Sequence, residues 1–355
     1  MPEIDRLLGV LKERGGSDLH LVAGAAPRIR VRGELAAIEG SAPLDDAAVR
    51  ELLHPIASPE QWAEFEEAGD LDFAYGLPGV ARFRVNFLVQ EHGAGAVFRI
   101  VPEQIRTVDE LGLPPAIASL AALDAGLVLV TGPTGSGKST TLAALVDSIN
   151  RGSAKHVVTI EDPVEFLHGN QRCVVSHREV GPHTRSFGAA LRAAIRQDAD
   201  VVLVGELRDR ETMELALTAA EMGLLVFGTL HTNGAAKTVD RIVDAFPADD
   251  QDQVRLSLSE SLAAVVSQIL LPSADGRGRC PVWEILLRTP GLANVIREGN
   301  TPMLHSIIQS GKGQGMQSLD DALFALVKAG RVAAADAYRA ARDKARIQPL
   351  LDAAA

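Results

Sequence analysis

Apolar residues at Ile4, Leu7, Leu8 and Leu11 recur at helical spacing and predict an amphipathic helix ending near Gly15-Gly16. The period then shortens. Ser17–Val22, Pro27–Arg32 and Glu34–Ile38 read as short strands punctuated by Gly24, Gly33 and Gly40. Residues 45–67 return to a helical pattern broken at Pro55 and Pro59, and Leu71–Tyr75, Val80–Gln90 and Ala94–Val101 read again as strands. In Ala81-Arg-Phe-Arg-Val-Asn-Phe87, alternation puts Ala81, Phe83, Val85 and Phe87 on one face and Arg82, Arg84 and Asn86 on the other. Arg99 lies on the neighbouring strand, after a turn expected at Gly93–Gly95.

Pro102 to Pro115 reads as a linker, and beyond it the pattern changes. Strands at 127–131, 156–160, 173–176, 200–204 and 224–230 alternate with helical stretches, the signature of a parallel α/β sheet. Ser186 is placed to cap the helix carrying Phe187, Leu191 and Ile195. Past Pro247 the pattern is mostly helical, with one more strand at Val282–Leu287. The expected organisation is an N-terminal α+β domain at 1–101, a linker at 102–115 and an α/β domain at 116–355. The last of these has a mainly helical part from about 248.

Composition narrows the class of protein. Hydrophobic residues make up 46% and charged residues 23% of the 355, which suits a soluble chain that buries a core. A formal net charge of −11 argues against general affinity for nucleic acid, as does an aromatic content of only 4%. Asp5 and Arg6 interrupt the start of the chain, so no secretion signal is expected, and no apolar run reaches the roughly 20 residues of a membrane span. Cys173 and Cys280 are far apart and form neither a disulfide framework nor a zinc motif, which points to a reducing cytoplasm.

The stretch Gly132-Pro-Thr-Gly-Ser-Gly-Lys-Ser-Thr140 fits G-x-x-x-x-G-K-[ST] without a mismatch, between the apolar run Leu127–Val130 and a helical segment. In that setting Gly132, Thr134, Gly135, Ser136, Gly137, Lys138, Ser139 and Thr140 are the expected nucleotide-binding residues. Glycines let the backbone close around phosphates, Lys138 reaches the β/γ-phosphates, and the Ser139 hydroxyl ligates Mg²⁺. Three later strands also end in chemistry: Glu161-Asp162-Pro-Val-Glu165, Gly205-Glu206-Leu-Arg208-Asp209, and His231-Thr232-Asn233. Ligands of open α/β sheets bind at strand carboxyl ends. Glu206 fits a Walker-B carboxylate acting through the metal, and His231 fits a phosphate-sensing group. Either Glu161 or Glu165 is placed to hold the attacking water; spacing alone leaves that choice open. Arg82, Arg84 and Arg99 form a group of guanidiniums suited to phosphate.

With these motifs assembled, the chain resembles the secretion ATPase superfamily, and within it the PilT-type retraction ATPases of type IV pili. The likeness runs from Ser17-Asp-Leu-His-Leu through Arg82-Phe-Arg-Val-Asn and Gly93–Arg99 to Gln309-Ser-Gly and Gly315–Leu323. Ile160–Phe166 looks like that family's Asp box, Asp200–Asp209 like its Walker B, and Gly228–Thr232 like its His box. The resemblance implies a PAS-like N-terminal domain and a RecA-like ATPase domain with a helical C-terminal extension, assembled as a homo-hexamer. It also implies ATP and Mg²⁺ as cofactors, Glu165 as the favoured catalytic carboxylate, and arginines of the 82–99 sheet closing on nucleotide. Extension-type relatives carry a further N-terminal domain and a paired-cysteine motif, neither of which is in this sequence.

The expected function is therefore a cytoplasmic motor that hydrolyses ATP to retract pili in twitching motility. It would dock on an inner-membrane pilus platform protein, with a second retraction ATPase as an optional partner. Two departures stand out. Gly291-Leu-Ala-Asn-Val-Ile-Arg-Glu298 lacks the first arginine of a motif reading roughly A-I-R-N-L-I-R-E, and Leu224 stands where many relatives have histidine. The first motivates an alternative, an accessory or regulatory PilU-like ring subunit with little turnover of its own. A nucleic-acid translocase is disfavoured by charge, and a small-molecule kinase leaves the N-terminal domain unexplained.

Overall fold

The alternating pattern at 81–87 builds a six-stranded antiparallel sheet, the frame of the first of two units into which the chain divides, residues 1–104 with 163–167. The computed structural model describes residues 2–31, 33–101 and 104–353. The expected strand end at Arg32, the linker start at Pro102-Glu103 and the chain ends at Met1 and Ala354-Ala355 lie outside the described residues. The strands are β1 (Asp18–Val22), β2 (Arg28–Val31), β3 (Glu34–Ala37), β4 (Asp70–Leu77), β5 (Ala81–Gln90) and β6 (Gly93–Val101), in the order β3-β2-β1-β6-β5-β4. Phe83, Val85 and Phe87 are fully buried on one face, where helices Glu3–Glu13, Asp46–Leu53 and Pro59–Ala68 contribute Leu8, Leu11, Leu53 and Phe65 to the same core. Phe87 meets Phe65 at 5.4 Å and Phe73 at 5.0 Å, both edge-on, a geometry that adds about 1 kcal/mol per pair beyond burial.

Two local expectations change. Pro59 starts a helix instead of breaking one: it sits in the first turn, where a missing N–H costs nothing, behind a capping box of Ser58 and Gln61. The turn between β5 and β6 falls at Glu91-His92, and Gly93 and Gly95 belong to β6. Gly93 serves close approach: a Cβ there would collide with the Asp46 carboxylate, whose Oδ1 accepts the Ala94 N–H at 2.6 Å.

The second unit, residues 105–162 and 168–355, is built on a seven-stranded sheet. Its strands are β7 (Gly126–Thr131), β8 (His156–Glu161), β9 (Val174–Glu179), β10 (Val201–Val204), β11 (Leu225–Leu230), β12 (Leu262–Pro272) and β13 (Arg279–Leu287). The order is β13-β12-β7-β11-β10-β8-β9; all neighbours are parallel except β13, which pairs antiparallel with β12. Strands β7, β10 and β11 are buried at every position because both faces of the sheet are covered. Leu127 and Leu129 face a core shared with helices Phe187–Ala194, Arg210–Glu221, Ala235–Asp244 and Gln251–Ser261, and Val128 and Val130 face helix Lys138–Gly152. Leu113, within the stretch read as a linker, is buried in that second core. No helix among the described residues is long and apolar enough to cross a membrane.

The reading of the region past Pro247 as mostly helical missed β12. Leu262–Pro272 follows helix Gln251–Ser261 with no glycine or proline between, and its first seven residues are all buried, so no alternation marks it as a strand. Beyond β13, helices Leu319–Lys328, Ala334–Ala340 and Lys344–Asp352 close a smaller core with Cys280 and Val282.

Parallel pairing brings the strand ends to one edge. Thr131 lies opposite Leu230 and Ser267, and Val204 lies opposite Gly228 and Ile160. The residues that follow each strand therefore share that edge.

Candidate functional site: a phosphate-binding loop beside a glutamate–histidine pair

The glycine loop leaves β7 after Thr131 and enters helix Lys138–Gly152 directly. Gly132, Gly135 and Gly137 take φ values of 138°, 75° and 87°, conformations that an L side chain rarely adopts. A Cβ on Gly132 would collide with the carbonyl oxygen of Gln268, and one on Gly137 would lie 2.9 Å from the Gln268 side-chain nitrogen. The loop thus folds tightly over β12. Lys138 is buried, and its ammonium donates to the carbonyls of Gly132 at 2.9 Å and Pro133 at 3.2 Å. Ser136 is buried with no hydrogen-bond partner for its Oγ among the described residues, and the first N–H groups of a helix have no carbonyl of their own to reach. An oxygen-rich anion satisfies such donors, and a phosphate chain fits the set. Thr134 is exposed at the tip, and Ser139 and Thr140 are half-buried in the first helical turn.

At the ends of β10 and β11, His231 Nε2 stands 3.2 Å from Glu206 Oε1, and Arg208 Nε donates to Glu206 Oε2 at 2.8 Å. The Glu206 side chain is 21% exposed and that of His231 45%. They line an open pocket of about 350 Å³ with Arg208, Thr232 and Arg241. Of the three carboxylates in the 200–209 stretch, only Glu206 faces this pocket. Asp200 accepts the His156 N–H at 2.8 Å, and Asp209 caps helix Arg210–Glu221 through the Thr212 N–H at 2.8 Å. Leu207 N donates to Thr229 O at 2.9 Å and the Thr229 hydroxyl donates to Gly205 O, so the turn carrying Glu206 is stitched to β11.

Glu161 is the last residue of β8. A Cβ on Gly205 would lie 3.4 Å from Glu161 Cγ, so the glycine makes room for that side chain beside the Glu206 turn. Asp162 is exposed. Glu165 is also exposed, and its segment, Pro163–Leu167, groups with the first unit. Arg84 and Arg99 are directly paired across β5 and β6, with Arg82 opposite Val101. Arg99 Nε donates to Asp18 Oδ1 at 2.8 Å. Burial alone would raise the Asp18 carboxyl, but the Ser17 hydroxyl and the Arg99 guanidinium hold it below the usual carboxylate range.

Sequence reasoning missed Gln268. Its side chain, 3% exposed, donates to Ser136 O at 2.7 Å and accepts from Thr141 Oγ1 at 2.8 Å and Trp283 Nε1 at 3.0 Å. It ties β12 to both the glycine loop and the helix behind it. The signal was hidden because the strand that carries it had no strand pattern.

The family described as "Type II/IV secretion system protein" matches residues 14–318. Among curated relatives, the chain is 49% identical over 345 residues to "Type IV pilus retractation ATPase PilT" of Pseudomonas aeruginosa, covering 97% of this chain and 98% of that one. It is 41% identical over 335 residues to "Type IV pilus ATPase PilU" of the same organism, covering 94% and 87%. Among solved structures, a crystal structure of the pilus retraction motor PilT with bound ADP superposes with a TM-score of 0.90 at 41% identity, covering 97% of this chain and 99% of that one. A match across nearly the whole length, in sequence and in backbone, leaves one placement: the chain belongs to the type II/IV secretion system protein family, and within it is similar to the PilT retraction ATPases.

Proposed function

We propose that the chain is an ATPase motor that assembles as a homo-hexamer and drives type IV pilus retraction. The observation that carries the reading is the shared sheet edge: the glycine loop on β7, His231 on the adjacent β11 and Glu206 on the next strand, β10. Lys138 and the loop N–H groups would hold the β- and γ-phosphates of ATP. Ser139 and Glu206 would be the oxygen donors holding Mg²⁺, and a cation there would offset negative charge on the phosphates. Glu165 is the favoured carboxylate for orienting water, with Glu161 second. His231, in contact with Glu206, is suited to register the terminal phosphate. Arg82, Arg84 and Arg99 would add guanidiniums at the nucleotide. The nucleotide held by a PilT relative in its crystal structure supports the ligand class. The expected setting is the inner face of the cytoplasmic membrane, on a pilus platform protein, alone or with a second retraction ATPase.

Lys138→Ala and Glu206→Ala should each lower ATP turnover by at least about 100-fold while the far-ultraviolet spectrum stays native. Wild-type turnover in both overturns the site. One observation favours a second reading, an accessory PilU-like subunit that binds nucleotide with negligible turnover. In helix Pro290–Arg297, Ala293 stands where the retraction motif carries its first arginine, leaving Asn294 and Arg297 exposed. Nucleotide binding without hydrolysis by the purified protein, restored by a partner ATPase, would favour it.

A further inference from the structure

The turn that carries His231 is held from behind by side chains that the proposed chemistry does not use. Glu284 on β13 is 2% exposed, and a carboxylate buried that deeply must be paired. Its Oε1 accepts the N–H of Ala235, the first residue of helix Ala235–Asp244, at 2.8 Å, and its Oε2 accepts from Arg342 Nη1 at 2.8 Å. Arg342 Nη2 reaches Glu284 Oε1 at 3.4 Å and the carbonyl of Asn233 at 3.3 Å. Between them, Gly234 N donates to Ser267 Oγ at 2.9 Å. Three successive residues after Thr232 are therefore each fixed by a different side chain. Gly234 takes φ 110°, and a Cβ there would collide with the Arg342 guanidinium. The glycine and the arginine are a matched pair.

Arg342 is itself anchored. It lies just past helix Ala334–Ala340, and its backbone N–H and that of Asp343 donate to the two oxygens of Asp320 at 2.9 and 3.1 Å. Asp320 is buried at the start of helix Leu319–Lys328. A continuous hydrogen-bonded path thus runs from the C-terminal helices through Asp320, Arg342, Glu284 and Asn233 to the turn whose first residue, His231, touches Glu206.

We propose that Arg342 is a positioning residue for the site. It acts through Glu284 and the Asn233 carbonyl to hold His231 against Glu206, and so links the C-terminal helices to turnover. This rests on the ATPase reading given above. A planar fork suits the role, since one guanidinium engages a carboxylate and a carbonyl together where an ammonium is a point charge.

The test compares full-length wild type, Arg342→Ala, Arg342→Lys and, as a control in the same helical layer, Asp321→Asn. Asp321 pairs instead with Lys312 and Arg346. ATP turnover, KM and nucleotide affinity are measured with amide exchange across residues 228–240. Arg342→Ala should lower kcat by about 10-fold or more, with KM and affinity changed by less than about 3-fold, because small displacements of a catalytic constellation act on kcat. Exchange at Gly234 and Ala235 should quicken, and Arg342→Lys should recover only part of either loss. Asp321→Asn should leave kcat near wild type. Unchanged exchange at Gly234 and Ala235, an equal fall of kcat and affinity, or an equal loss in Asp321→Asn overturns the proposal. If Arg342→Ala does not fold, Arg342→Lys decides by the same criteria. If wild type itself fails to hydrolyse ATP, the ATPase reading falls, and exchange at the turn still decides whether Arg342 holds it.

Discussion

Gln268 uses both ends of its amide on the glycine loop and the helix behind it, and a buried donor left without its partner costs about 1–3 kcal/mol. Gln268→Ala should therefore weaken nucleotide binding by about 10-fold and lower the thermal midpoint, read by calorimetry with and without ATP. Unchanged affinity would mean that the loop holds its shape without β12. Glu206, His231 and the glycine loop were legible in the sequence because each sits at a strand end in a known pattern. Gln268 and Arg342 were not, because each acts across a long sequence separation that no local spacing records.

His168 makes a separate residue-scale prediction. It is buried and stacked on His177 at 5.9 Å; burial, with the His177 charge beside it, pushes its pKa down from 6.5 to about 4. The folded state thus prefers neutral His168, whereas the unfolded chain takes up the proton near pH 6.5. The contribution is full above that pH and is lost as pH falls towards 4, up to roughly 3 kcal/mol. Denaturant titrations across that window should show the loss in wild type and a smaller slope in His168→Phe. Equal slopes would remove His168 as the cause.

Among the elements, helix Arg210–Glu221 shows how local sequence sets the site's frame. Asp209 caps it through the Thr212 N–H and hydroxyl, and the same short turn presents Glu206. Asp209→Ala should cost about 1 kcal/mol, measured by chemical denaturation. A cost near zero would show that the helix end is held by packing alone. Most strands were readable from apolar runs and their glycine punctuation. The exception, β12, lacked both, since burial on two faces removes alternation and the preceding helix runs straight into it. The glycines at 93 and 95 misled for a related reason: a glycine signals either a turn or a close approach, and here the neighbours decide, the Asp46 carboxylate at the start of helix Asp46–Leu53 for Gly93 and the Leu21 carbonyl on β1 for Gly95.

At the scale of the whole molecule, one unit holds an antiparallel sheet carrying Arg82, Arg84 and Arg99, and the other holds a sheet, parallel except for β13, that carries the glycine loop. The fold class was legible because runs of consecutive strand patterns, set off by helical stretches at 4–11 and 45–67, precede residue 102 and strand–helix alternation follows it. The assignment of residues 163–167 to the first unit was not, since a short excursion of the chain leaves no compositional mark. If sites are completed between copies in a ring, turnover must depend on assembly. The most direct measurement is ATP turnover per subunit across protein concentration, with sedimentation run on the same samples. The account predicts that specific activity climbs steeply as the ring forms and then levels. Turnover that stays flat down to concentrations where the protein sediments as a monomer, or that is absent at every concentration while nucleotide still binds, would contradict it.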